Sequence, residues 1–153
     1  MRLVELSVEK FAELKPYVDT LLLPVCAVGS EQAGEPFARD LLWVRQIAAE
    51  IERRLTGRVF LLPEAVHTTG QAGESGMPQN VLADYLYHLL LPYKERGLTK
   101  LVLLHSADTS GDAIAKAWDQ LEQQGFQVLA LLAEPDEATA DALVQQIIPL
   151  WSR

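Results

Sequence analysis

Four runs of this chain, TLLLPVCAV (20–28), RVFLLP (58–63), KLVLLHS (100–106) and FQVLALLA (126–133), are apolar throughout instead of alternating. A strand with one wet face alternates polar and apolar residues. A strand apolar on both faces must be covered on both, as in a parallel sheet flanked by helices. The segments between these runs supply the helices. Phe37, Leu41, Val44, Ala48, Ile51 and Leu55 follow a three-four spacing, which predicts an amphipathic helix over 37–55 that Gly57 stops. A helix over about 79–96 carries Leu82, Leu86, Leu89 and Tyr93, with Pro92 bending it or ending it early. A third, over 111–124, buries Ile114, Trp118 and Leu121, and a last one covers 136–148. Residues 7–14 form a short opening helix with Ser7 as its cap. The connections are long enough for right-handed crossovers. The expected fold is a three-layer α/β/α domain over residues 1–153, with a mainly parallel four-stranded sheet in the order 2-1-3-4.

Charge narrows the partners. The chain has 13 basic and 21 acidic residues, a net charge of −8, which argues against general nucleic-acid or anionic-membrane binding. No apolar run reaches the roughly 18 residues that a membrane span needs. One cysteine cannot build a disulfide framework within the chain, and MRLVELSVEK lacks a signal peptide's apolar core, so a cytoplasmic protein is expected. Gly70, Gly73 and Gly76 form neither a strand-to-helix dinucleotide fingerprint nor a phosphate loop with lysine, and no cofactor is expected.

In a doubly wound sheet, ligands sit beyond the carboxyl ends of the strands where the strand order reverses. That crevice brings VGSEQAG (28–34) next to HSADTSG (105–111). Glu31 and Asp40 are one candidate pair there, able to hold a cation or share a proton. Their bland alternative is a solvated loop acid and a helix-start acid favoured by the helix dipole. His105 ends a buried strand at the crevice and either acts there or simply bonds a backbone carbonyl. Asp108, Thr109 and Ser110 open a helix, one of them as its N-cap. The acids would oppose a phosphate, so a hydroxyl-rich or cationic ligand suits this turn better. His67 begins the glycine-rich connection 63–80, which reads equally well as a lid over the site or as plain disorder. Cys26 is a nucleophile beside His105 or, more ordinarily, a small buried hydrophobe. Gly29-Ser30 lacks a serine-hydrolase elbow. Trp43, Trp118 and Trp151 pack, unless Trp151 marks an interface.

The runs VELSVEKFAEL, VDTLLLPV, GSEQAG, LLPEAVHTTG, GMPQNVL and LLLPYKERGLTKLVLLHSADTSG, in that order, resemble the creatininase (creatinine amidohydrolase) family. The resemblance covers nearly the whole chain but only about the first three-fifths of a usual member. A second resemblance, carried by DTLLLP and GRVFLLP, is to short YpiF-like proteins of Bacillus-type bacteria, of unknown function. The creatininase resemblance implies a metal pair held by Glu, His and Asp of the first motif and a His of the second. Matching on the text of the first motif puts Glu31 on the ligand Glu and Ala33 on the ligand His. Counting from Pro24 instead puts Gly29 on the Glu, Glu31 on the His and Asp40 on the Asp. In the second motif His105 falls on an Asn and Ala107 on the ligand His. A methyl group binds no metal. The expectation is a metal-free creatininase-like domain that binds a small molecule or a protein partner without catalysis. Its rival is a metal-dependent amidohydrolase using Glu31, Asp40, His105 and Asp108 as an altered ligand set. A third reading is a structural subunit that forms a homo-oligomer.

Overall fold

In a computed structural model, residues 1–29, 34–68, 77–109, 111–134 and 139–152 are described. Five strands, β1 (Thr20–Val28), β2 (Val59–Leu61), β3 (Ala65–Thr68), β4 (Lys100–His105) and β5 (Gln127–Leu132), form one sheet. Its order is β2-β1-β4-β5, with β3 also beside β1, and every pairing is parallel. This is the order expected from the apolar runs. Leu23 lies opposite Leu103 at the sheet's centre, and both are buried.

One element was not expected. Residues 63–80 do not form an uninterrupted connection, because AVHT within them is β3. β2 pairs with Thr20–Leu22 and β3 with Val25–Val28, so the two follow one another along the same edge of β1. Pro63 lies in the break between them and has no N–H to give a ladder. β3 escapes a reading by apolar runs because it alternates, with Ala65 and His67 buried and Val66 and Thr68 exposed. Four residues carry little periodic signal. The remainder of the glycine-rich stretch, 69–76, lies outside the described residues, and with it the choice between lid and disorder.

Helices cover both faces of the sheet. On one face α3 (Gln79–Leu90) and α4 (Gly111–Gln123) pack Leu82, Leu86, Leu90, Ile114 and Leu121 against Leu21, Leu23, Phe60 and Leu103, with Phe11 of α1 (Val8–Leu14) alongside. On the other, α2 (Arg39–Arg54) and α5 (Ala140–Ile147) pack Val44, Ile51, Leu143 and Ile147 against Leu22, Val102 and Leu104. Helix ends follow local chemistry. Ser7 Oγ accepts from the Lys10 N–H at 3.0 Å, capping α1 as expected. Pro92 does end its helix: α3 stops at Leu90, a 3-10 turn runs over Leu91–Arg96, and Gly97 closes it with a φ of 79°. Phe37 is a correction. It lies ahead of α2 and is 69% exposed, not on the helix's buried face. Its carbonyl accepts from the Gly29 N–H at 3.0 Å, which ties the approach to α2 back to the exit of β1 and leaves the ring outside. Among the described residues, no helix is long and apolar enough to cross a membrane.

Candidate functional site

The carboxyl ends of β1, β3 and β4 open where the strand order turns from β2 to β4. β4 runs on for one residue past His105, as the Ser106 N–H reaches the Val25 carbonyl at 3.3 Å. The chain then turns, and the Thr109 N–H returns to the Ser106 carbonyl at 3.2 Å. This turn places two hydroxyls side by side, Ser106 Oγ and Thr109 Oγ1, 3.1 Å apart. β3 adds an imidazole, with His67 Nε2 2.8 Å from Thr109 Oγ1. Ser106, Thr109 and His67 are all buried.

The direction of the hydrogen bonds follows from their ends. His67 Nδ1 lies 3.2 Å from the Thr68 carbonyl, which can only accept, so Nδ1 carries the ring proton. Nε2 then accepts from the Thr109 hydroxyl, which in turn accepts from Ser106. Burial pushes the His67 pKa below 6.5, and the Thr68 carbonyl, Asp40 and Asp108 only partly oppose it. The ring is therefore neutral near pH 7, as this chain of donors requires.

Beside this relay sits a cluster of charges. Asp40, in the first turn of α2, is buried at 4% exposure. Arg39 spreads its guanidinium over three carboxylates. Nη1 bonds Glu35 Oε1 at 2.9 Å, while Nη2 lies 3.7 Å from both Asp40 Oδ1 and Asp108 Oδ2. One cation thus faces three anions. Asp40 Oδ2 and Arg39 Nε are buried with no hydrogen-bond partner. Burial, then the charge of Asp40 and a side-chain contact with it, raise the Asp108 pKa above the usual 3.8, against the pull of Arg39.

The expected site residues divide. Asp40, His67, Asp108 and Thr109 come together. His105 stands apart: its Nδ1 meets the Ser106 carbonyl at 3.1 Å, and burial lowers its pKa with no carboxylate contributing. It takes the bland alternative, a histidine bonded to the backbone. Cys26 is fully buried, and burial first, with the charges of Glu64 and Asp40, pushes its thiol up to about 12, far from a thiolate nucleophile. Glu31 and Ser110 lie outside the described residues. The tryptophans pack, with Trp43 Nε1 donating to the Ala133 carbonyl at 3.1 Å and Trp151 Nε1 to Thr20 Oγ1 at 2.8 Å. Reading the strand ends alone missed Arg39, Glu35 and Ser106. The stretch EPFARD did hold a signal, since Glu35 and Arg39 stand at the spacing that lets them pair across a helical turn.

Among the described residues the donor set does not fit the metal pair that the creatininase resemblance implies. Among the described residues no three His, Cys, Asp or Glu side chains converge as metal donors, and a guanidinium already lies against Asp40 and Asp108. Ala107 offers only a methyl group.

Solved structures show what this fold resembles. A tryptophan-to-phenylalanine mutant creatininase, described as Type II, matches with a TM-score of 0.68 at 19% identity. A glutamate-to-glutamine mutant creatininase complexed with creatine gives 0.68 at 20%, and creatinine amidohydrolase (creatininase) itself 0.66 at 18%. Each match covers 97% of this chain and 63% of the other, so the chain spans less than two thirds of the length of these proteins. At such identities the likeness establishes the fold, a creatininase-like α/β sheet covered on both sides. No curated protein sequence matches the chain. Over residues 9–149 the sequence matches a family described as protein of unknown function (DUF2487), and the chain belongs to that family.

Proposed function

We propose that this protein is a metal-free, non-catalytic creatininase-like domain that binds a small molecule or a protein partner at the carboxyl ends of β1, β3 and β4. The observation that carries the reading is the position of Arg39, whose guanidinium faces Glu35, Asp40 and Asp108 together. A tethered cation supplies the positive charge that such a carboxylate group would otherwise draw from solution. The neutral His67–Thr109–Ser106 relay beside it offers hydroxyls instead of open ligand positions. Hydroxyls and a partly neutralised acid pair suit a polar ligand held by hydrogen bonds.

A competing reading is a metal-dependent amidohydrolase with an altered ligand set. One observation favours it: Asp40 Oδ2 is buried without a partner, close to Asp108 and His67. Metal analysis of protein purified without chelator decides between the two. The binding-domain reading predicts substoichiometric zinc and manganese that an Asp40→Ala variant does not change. Stoichiometric metal that is lost on Asp40→Ala would overturn it.

A further inference from the structure

The break between β2 and β3 leaves more than a gap in the ladder. Along β1 the register moves three steps, from Leu22 to Val25, while the outer edge moves four, from Leu61 to Ala65, so the edge bows outward there. The last rung of β2 is the Leu62 N–H on the Leu22 carbonyl at 2.9 Å. The next rung would bring the N–H of residue 24 to the Leu62 carbonyl, but that residue is Pro24 and has none. Among the described residues the Leu62 carbonyl thus has no backbone donor. A pocket of about 310 Å³ opens at this break, lined by Pro24, Leu61, Leu62 and Pro63 and by Ala48 and Ala49 of α2. Its volume is at the small end of ligand pockets.

The charged residues of the pocket are Arg45, Glu64 and Arg2. Arg45 commits its Nε to Glu64 Oε1 at 2.5 Å, and among the described residues its two Nη atoms make no hydrogen bond, which leaves the forked end of the guanidinium open. Arg2 is bridged to Leu61 at the outer side of β2, and its ion-pair partner Glu5 is 3.6 Å away, beyond hydrogen-bond length. Burial would raise the Glu64 pKa, but the hydrogen bonds from Arg45 and from its own backbone N–H hold it below 4.5, so this carboxylate stays charged at pH 7. The pocket therefore presents two cations, one anion and a carbonyl without a donor among apolar walls, in a chain whose net charge is −8.

We propose that this pocket binds a free α-amino acid with an apolar side chain. Its carboxylate is held by the open fork of Arg45 and by Arg2, the pairing that a planar guanidinium makes best. Its ammonium group finds acceptors in Glu64 and the Leu62 carbonyl, and its side chain lies against Pro24, Leu61 and Pro63. Other charge patterns fit less well. A dicarboxylate or a phosphate sets extra negative charge against Glu64, and a lone amine meets two cations. The pocket shares no residue with the cluster around Asp40, and the proposal does not depend on the reading given to that cluster.

The test is an NMR titration of the nitrogen-labelled full chain with L-leucine, read at the Arg45 Nε–H and at the amides of Leu61, Leu62 and Glu64. Saturable shifts are expected at these positions. Isocaproate, which lacks the ammonium group, is expected to bind about tenfold more weakly, the value of one charge-assisted hydrogen bond. Isoamylamine, which lacks the carboxylate, is expected to leave these signals in place. Arg45→Gln removes the fork and is expected to weaken leucine binding by at least about tenfold. Leucine that shifts none of these signals would overturn the proposal, as would leucine binding unchanged in Arg45→Gln. Isocaproate or isoamylamine binding as tightly as leucine would overturn the amino-acid assignment. Should Arg45→Gln fail to fold, Ala49→Leu decides instead, because it fills the pocket without touching a charge. It is expected to abolish the shifts, and shifts that persist in it overturn the site.

Discussion

The two ends of the sheet handle charge in opposite ways. At the amino end, around the start of β1 and β4, polar groups pair with one another. Lys100 Nζ lies 2.9 Å from Asp19, Thr20 Oγ1 donates to Asp19 at 3.0 Å, and Trp151 Nε1 donates to Thr20 at 2.8 Å. Arg58 stacks over the Trp151 ring at 4.1 Å. Burial would raise the pKa of Asp19, but the hydrogen bonds from Lys100 and Thr20 outweigh it and hold the group below 3.8. At the carboxyl end one guanidinium serves three carboxylates, Asp40 keeps an oxygen without a donor, and Asp108 is pushed above 3.8. The same strands thus join a polar end that is satisfied to one that is not. A fold under selection for stability alone would satisfy both. Charge left unsatisfied at the end where α/β sheets bind ligands is what motivates the proposed binding site.

Both ends depend on the sheet between them, and breaking that floor has the largest effect. Leu103→Ala at the buried centre of β4 is expected to cost about 3 kcal/mol, read as a lower urea midpoint, and to degrade the two ends together. Next comes the satisfied end. Trp151→Ala removes a partly buried ring, its hydrogen bond to Thr20 and its stacking with Arg58. A loss of roughly 2 kcal/mol is expected, below the range for a fully buried tryptophan because the ring keeps some contact with water. Thermal melts at fixed pH measure it. A smaller effect, about 1 kcal/mol, is expected at the carboxyl end for Thr109→Val, which keeps the shape and removes the donor to His67.

His67 gives that end a pH signature that can be tested residue by residue. Its folded pKa lies below its unfolded value of about 6.5. Below 6.5 the unfolded chain therefore binds more protons, and stability falls as pH drops through this window. Histidine NMR should show His67 titrating below 6.5 in the wild type. In Thr109→Val, where the hydrogen bond to the neutral ring is gone, the midpoint should move up. A His67 that titrates at or above 6.5 in the wild type would remove the relay as drawn.

The fold was legible in the sequence because its two central strands, β1 and β4, are buried on both faces. TLLLPVCAV and KLVLLHS carry their assignment in composition alone, and the helices between them fix the crossovers and hence the order. β3 was not legible. AVHT alternates, has four residues, and runs straight into a glycine-rich stretch that reads as loop. The site was legible in part. Asp40, Asp108 and Thr109 could be placed because strand ends and helix starts can be located. The place of His67 was not legible because it depends on the missing strand. His105 sits on a recognised strand but turns to the backbone, whereas His67 reaches Thr109 only because β3 extends the edge of β1. No role for Arg39 was legible in the sequence. Its role depends on Asp108, which is 69 residues away in sequence and comes near only when β4 lies beside β1.

The most direct test of the contrast between the two ends is one substitution made at each and compared by equilibrium unfolding at pH 7. Asp19 is held below its ordinary pKa, so its ionised form stabilises the fold above pH 3.8, and Asp19→Asn removes that contribution. Asp108 is held above its ordinary pKa, so its ionised form opposes the fold once the pH exceeds the raised value, and a neutral amide that can donate to Asp40 relieves that opposition. Asp19→Asn is therefore expected to lower the unfolding midpoint and Asp108→Asn to raise it. Two changes of the same sign would contradict the account.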